Sequence, residues 1–235
     1  RKMAKKVFIK TYGCQMNELD SLRMQEQLEE QGYERTSKED DADCILINTC
    51  SVREKPVHKV LSQLGKIKPL KEKKPELVVG ITGCVAQQEG KELFKKSPVV
   101  DLVAGPDHIG NVGELVKQQS QENENLLKTK WQKLSTYNFP KLPENFTAEG
   151  PQAFVTIQKG CDNFCSFCIV PFTRGREKSR EAAEVVEEVK VLASQGVSEV
   201  TLLGQNVNSY GVRLATPTSF PELCREIAKV DGIRR

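Results

Sequence analysis

Histidine is nearly missing from this chain of 235 residues, which carries only His58 and His108. Beyond residue 108 no imidazole is left to complete a mixed Cys/His metal site. Long apolar runs are missing too, and none approaches the ~20 residues that a bilayer-spanning helix requires. The opening RKMAKKVFIKTYG lacks the apolar segment of a secretory signal. Net charge is small, +3 at pH 7, which permits a nucleic-acid partner without arguing for one. Together these absences predict a cytoplasmic protein in which thiols stay reduced. The chain opens on Arg1 with Met3 inside and ends at VDGIRR without a closing element, so it reads as part of a longer protein.

What the chain does have is cysteine, eight in all. The even count leaves a disulfide framework to weigh, but a chain of this size needs no staples. Grouped thiols in a reducing compartment point instead to metal or redox chemistry. Four apolar runs in the first half read as buried parallel strands: KVFIKTY (6–12), CILINT (44–49), LVVGIT (77–82) and VVDLVAG (99–105). Helical periodicity fills the intervals, as over 17–31 and 55–67, and the alternation predicts an α/β unit with a parallel sheet. The stretch KIKPLKEKKPE (66–76) reads as a solvated connection, with an RNA-contacting loop as the alternative. From about residue 118 the chain turns polar and irregular, which places a first domain at 1–120, a linker at 121–150 and a second domain at 151–235. In that second part AFVTIQ and SEVTLLG read as strands, and 179–195 and 220–229 as helices, giving two βα units in a row.

Each of the first three apolar runs ends in a cysteine: Cys14, Cys50 and Cys84, separated by 36 and 34 residues. One βα period per interval sets all three thiols at the carboxyl edge of a parallel sheet, where open α/β folds hold their ligands. Either they share a ligand or they are three small buried side chains at strand ends. Cys44 starts a strand and Cys224 lies in a helix, and both read as packing residues. A second trio, Cys161, Cys165 and Cys168, is crowded into KGCDNFCSFCIVPFTRGR. Structural zinc wants four ligands, and neither trio offers a fourth. A four-iron cluster on three thiolates leaves one iron open, so the missing ligand reads as a place for a substrate or cofactor.

The C-x3-C-x2-C spacing in CDNFCSFC, directly after a strand, resembles the signature of radical S-adenosylmethionine (SAM) enzymes. With the upstream trio, the chain resembles the methylthiotransferases among them. YGCQMNELDS, NTCSVREK, KGCDNFCSFCIVPFTRGREKSR and LLGQNVNSYG are similar to the branch that modifies tRNA next to the anticodon. The resemblance implies an N-terminal methylthiotransferase domain followed by the first βα units of a partial TIM-type barrel. The other barrel half and the C-terminal TRAM domain are not in this sequence, so the piece alone is expected to be inactive.

The resemblance further implies two [4Fe–4S] clusters, one on Cys14, Cys50 and Cys84 and one on Cys161, Cys165 and Cys168, with SAM at the latter. Phe167 would stack near the adenine, and Gly204, Gln205 and Asn206 would meet the cofactor's amino acid part. No catalytic residue beyond the cluster ligands is expected, because the cofactor carries the hard chemistry. The implied reaction is methylthiolation at C2 of N6-isopentenyladenosine in tRNA, with a one-electron donor protein as partner and a monomeric enzyme. The alternative is a relative acting on threonylcarbamoyladenosine or on a ribosomal-protein aspartate. A cluster-binding protein without turnover and a zinc module are more distant readings. Between 159 and 180, Lys159, Arg174, Arg176, Lys178 and Arg180 outweigh Asp162 and Glu177 by +3, which suits phosphate contacts or a solvated surface.

Overall fold

A computed structural model describes residues 4–52, 56–135, 137–142, 146–148 and 150–235. They fall into two units, Arg1–Lys133 and Leu134–Arg235. In the first, β1 (Lys5–Tyr12), β2 (Tyr33–Arg35), β3 (Cys44–Thr49), β4 (Val78–Gly83), β5 (Leu102–Ala104) and β6 (Leu126–Lys128) form one parallel sheet in the order β2-β1-β3-β4-β5-β6. The chain reverses its winding between β1 and β3, which makes their carboxyl ends the topological switch point of a doubly wound sheet. Every residue of β3 and β4 is buried, as expected of central strands covered on both faces.

The helices divide between those faces. Ile45, Ile47, Val79 and Ile81 pack with Val60, Leu64 and Ile67 of α2 (Pro56–Lys73). Two short helices, α3 (Cys84–Glu89) and α4 (Glu92–Lys96), bring Val85 and Leu93 to the same side. On the opposite face Val7, Leu46, Val78 and Leu102 meet Met24 and Leu28 of α1 (Gln15–Glu30) and Leu115 and Val116 of α5 (Val112–Glu122).

Three expectations change. The lysine-rich stretch at 66–76 is not a free connection: α2 runs through Pro69 to Lys73. Leu70 packs on the core, Lys71 pairs with Asp101 at 2.8 Å and Lys74 with Asp43 at 2.6 Å, so its cations are drawn onto the protein. The polar segment at 121–150 contains β6, hydrogen-bonded to β5. The start expected for α2, Lys55, lies outside the described residues.

Asp43 also accepts the Lys6 N–H at 2.7 Å. Burial opposes its ionisation, but the Lys74 ammonium and that N–H outweigh it and hold the carboxyl below its ordinary value. A depressed folded pKa stabilises above the unfolded value and is lost as pH falls through the folded one. Asp43→Asn is therefore expected to cost about 0.5–1 kcal/mol near neutrality. In chemical unfolding at a series of pH values, the gap from the parent should close below about pH 4.

In the second unit β7 (Gln152–Thr156) pairs in parallel with a later strand, Glu199–Leu203. A two-residue strand, β8 (Gln158–Lys159), is joined antiparallel to β9 (Lys178–Ser179). The cysteine loop, with the single-turn α6 (Val170–Thr173), is the excursion between them. Next come α7 (Ala182–Ser194), the strand just named, now β10, and α8 (Phe220–Ile227), whose Ser219–Glu222 capping box fixes its start. Val155, Ile157, Val185, Val189, Leu192, Leu223 and Ile227 form this unit's own core. Among the described residues no helix is long and apolar enough to cross a membrane.

Candidate iron–sulfur centres

The first trio sits where the strands end. Cys14 follows β1 and caps α1, Cys50 follows β3, and Cys84 opens α3 directly after β4. The three strands are neighbours, so the thiols line one stretch of the carboxyl edge and two of them straddle the switch point. Cys50 and Cys84 are buried and Cys14 is exposed. The Cys50 thiol is pushed strongly upward in pKa, first by a hydrogen bond with Cys14 and then by burial, with Cys84 and Cys14 adding charge repulsion. The Val52 N–H, 3.4 Å from the Cys50 sulfur, works in the opposite direction.

All eight thiols are free of disulfides. Cys44 is fully buried under the sheet and its pKa is raised by desolvation, as a packing residue's should be. Among the described residues no three Cys, His, Asp or Glu side chains converge tightly enough for a single bare ion. A four-iron cluster makes a looser demand, since each thiolate meets its own iron. An all-thiol donor set at the open edge of a sheet fits that group.

The second trio depends on a narrow base. Gly160 has φ +72°, and a Cβ there would lie 2.2 Å from the Arg176 carbonyl oxygen and 2.5 Å from that of Gly175. The returning strand is therefore pressed against the residue before Cys161, whose N–H donates to Gly175 at 3.2 Å. Phe164 takes a left-handed φ of 47°, and Cys168 N–H closes a turn on the Cys165 carbonyl at 2.9 Å. Cys161 is buried, Cys165 exposed and Cys168 half-buried, so the loop turns two of its three thiols outward. Asp162 ties the loop down through the Arg176 guanidinium, the Glu177 N–H and Arg213. Burial raises its pKa, yet these partners together keep it below the usual carboxylate range.

Phe167 is 91 % exposed beside Cys168. The side-chain oxygen of Gln205 accepts the Gly160 N–H and so braces the cysteine loop. The space a side chain would take at Gly204 is occupied by Gln158, 2.9 Å away. The carbonyl of Asn206 accepts the Ser209 N–H at the start of a short turn.

The basic cluster does not form a phosphate-binding surface. Lys159, Arg174 and Arg180 are buried. Lys159 lies 3.7 Å from the centre of the Tyr137 ring, and Lys178 donates to the carbonyls of Leu134 and Tyr137. Arg180 pairs with the equally buried Glu188. Arg176 is exposed but holds Asp162. Charge counting could not distinguish cations in solvent from cations that fasten a loop.

Sequence reading also missed Asn17, Ser21 and Asn48, which lie buried beneath the first trio. Their one signal was a polar Asn48 inside the apolar run CILINT, two residues before Cys50.

Comparison with known proteins agrees with this division. Residues 6–105 match the Uncharacterized protein family UPF0004, and residues 155–235 match the Radical SAM superfamily. The tRNA-2-methylthio-N(6)-dimethylallyladenosine synthase of Shewanella loihica is 48% identical over 99% of this chain and 49% of its own length. The protein of the same name from Jannaschia sp. is 45% identical over 99% of the chain and 50% of its own length. Among solved structures, the radical S-adenosylmethionine methyltransferase TsrM of Kitasatospora setae shares the fold, with a TM-score of 0.62 at 15% identity over 96% of this chain and 51% of that one. The chain spans about half the length of the curated relatives it matches. With both family matches in order along it and such identity over nearly every residue, the chain belongs to the methylthiotransferase family of radical SAM proteins that includes the tRNA-2-methylthio-N(6)-dimethylallyladenosine synthases.

Proposed function

We propose that this chain is the cluster-bearing part of a tRNA methylthiotransferase. Its substrate is N6-isopentenyladenosine beside the anticodon, and its product carries a methylthio group at C2. The observation that carries the reading is the pair of three-thiol sets, each short of a fourth ligand, one along a sheet edge and one in a braced loop. Cys14, Cys50 and Cys84 hold one [4Fe–4S] cluster, and Cys161, Cys165 and Cys168 hold the other. When bound, the clusters and SAM supply the one-electron chemistry that an aromatic C–H bond demands, together with sulfur and a methyl group.

The chain's own residues bind and orient. Phe167 offers an open ring face to the adenine of SAM, a stacking contact worth about 0.5–1.5 kcal/mol. Gly204, Gln205 and Asn206, at the carboxyl end of β10, meet its amino acid part while Gln205 keeps the loop in place. The enzyme works as a monomer in the cytoplasm and takes its electron from a donor protein.

Anaerobic reconstitution followed by iron and labile-sulfide assay tests the ligand sets. About eight irons per chain are expected, with SAM altering the EPR spectrum of the reduced protein. About four irons would remove one trio from the reading, and zinc without iron would remove both. Given the whole protein and unmodified acceptors, transfer of sulfur to a protein aspartate or to threonylcarbamoyladenosine would move the assignment to those substrates.

A further inference from the structure

Beneath the first trio runs a chain of buried side chains that leads from β1 through α1 to β3. Thr11 Oγ1 donates to Ser21 Oγ at 2.7 Å, and Asn48 Nδ2 donates to Ser21 Oγ and to the Asn17 backbone carbonyl, both at 2.9 Å. Asn17 Nδ2 in turn donates to Asn48 Oδ1 at 3.1 Å. Asn17 and Asn48 are completely buried, so each carboxamide must satisfy its polar atoms within this network.

That requirement fixes which end of each amide faces which way. The Asn17 backbone carbonyl can only accept, so it must face the nitrogen of Asn48. The oxygen of Asn48 then faces Asn17 and needs a donor, which only the Asn17 nitrogen provides. What is left of the Asn17 carboxamide is its oxygen, and it lies 3.4 Å from the Cys14 sulfur. Turning Asn17 over would oppose two oxygens, and turning Asn48 as well would oppose its oxygen to the backbone carbonyl. Gly83, the residue before Cys84, closes the other side, since a Cβ there would lie 2.4 Å from Asn48 Oδ1.

We propose that Asn17 is a positioning residue that withholds a hydrogen-bond donor from Cys14, so that the two neighbouring ligands are deliberately unequal. This rests on Cys14, Cys50 and Cys84 being cluster ligands. Cys50 has an N–H aimed at its sulfur from Val52, while Cys14 faces the negative end of a fixed dipole. Donors to a ligand sulfur stabilise the reduced cluster, and an acceptor oxygen beside it destabilises that state. Cys14 is thereby the arm that holds the cluster least firmly, and it is also the arm open to solvent.

The test uses the full chain carrying Cys161→Ala, Cys165→Ala and Cys168→Ala, so that only the first trio can load. Reconstituted anaerobically, this parent should bind about four irons. An iron-free parent would overturn the ligand assignment itself and would be recognised before any Asn17 variant was made. In a redox titration followed by EPR, Asn17→Ala is expected to shift the midpoint potential to a less negative value and Asn17→Asp to a more negative one. A negative shift for Asn17→Ala would mean that a donor had been lost, and it would overturn the proposal, as would no shift. Should Asn17→Ala fail to load, pulsed EPR of the parent with 15N-labelled asparagine decides the orientation. A resolved coupling to side-chain nitrogen overturns the proposal, and its absence upholds it.

Discussion

Alanine at Gly160 is expected to empty the second cysteine trio while leaving the first able to load. Two costs add at this position. The left-handed backbone with φ +72° costs any side chain about 1–2 kcal/mol. The new Cβ would also stand 2.2 and 2.5 Å from two carbonyl oxygens of the returning strand. Backbone atoms cannot swing aside as a flexible side chain can, so β8 and β9 must part. With them go the Cys161 N–H to Gly175 bond and the brace from Gln205. A total of about 3–5 kcal/mol is expected, in the range reserved for strained backbone sites. Iron per chain should fall by about half after reconstitution. Gly196→Ala supplies the comparison, because its φ is +91° but nothing lies within 4 Å of the added carbon. It should lose only the backbone cost and keep its iron.

Removing Glu188 is the second substitution with a large expected effect. Arg180 and Glu188 are each about 95 % buried and bonded to one another. A charge stranded in such a place costs about 3–5 kcal/mol. Glu188→Leu should therefore lower the stability of the Leu134–Arg235 unit by that amount in denaturant unfolding. Arg180→Met combined with Glu188→Leu should recover most of the loss, since the pair can be replaced by apolar volume. If Arg180 instead contacted RNA phosphates, Arg180→Met alone would leave stability intact and lower the salt dependence of RNA binding by about one ion. The buried pairing predicts the opposite pattern.

How much of this could be read from residues alone varies along the chain. The central strands were legible because burial on both faces makes them nearly continuous apolar runs, as in CILINT. The meeting of Cys14, Cys50 and Cys84 was legible because one thiol per βα period can only arrive at one edge. Strands β2 and β6 were not, since three residues such as YER or LLK carry no period. The continuation of α2 through Pro69 was hidden by the usual reading of proline as a breaker, which Leu70 and Lys71 override by their contacts. Arg180 and Lys159 misled because net charge says nothing about partners. Asn17 and Asn48 are 31 residues apart and acquire their shared task only when β1, α1 and β3 pack together.

The distribution of the first trio over three separate strands has a consequence for the order in which the protein matures. Cys161, Cys165 and Cys168 lie within eight residues, and a stretch that short can gather iron soon after it is synthesised. Cys14, Cys50 and Cys84 come together only once β1, β3 and β4 have paired, which requires at least the first 84 residues to be complete and folded. Loading at that edge therefore reports a finished domain. A chain whose sheet has failed to form would carry iron at one end and none at the other.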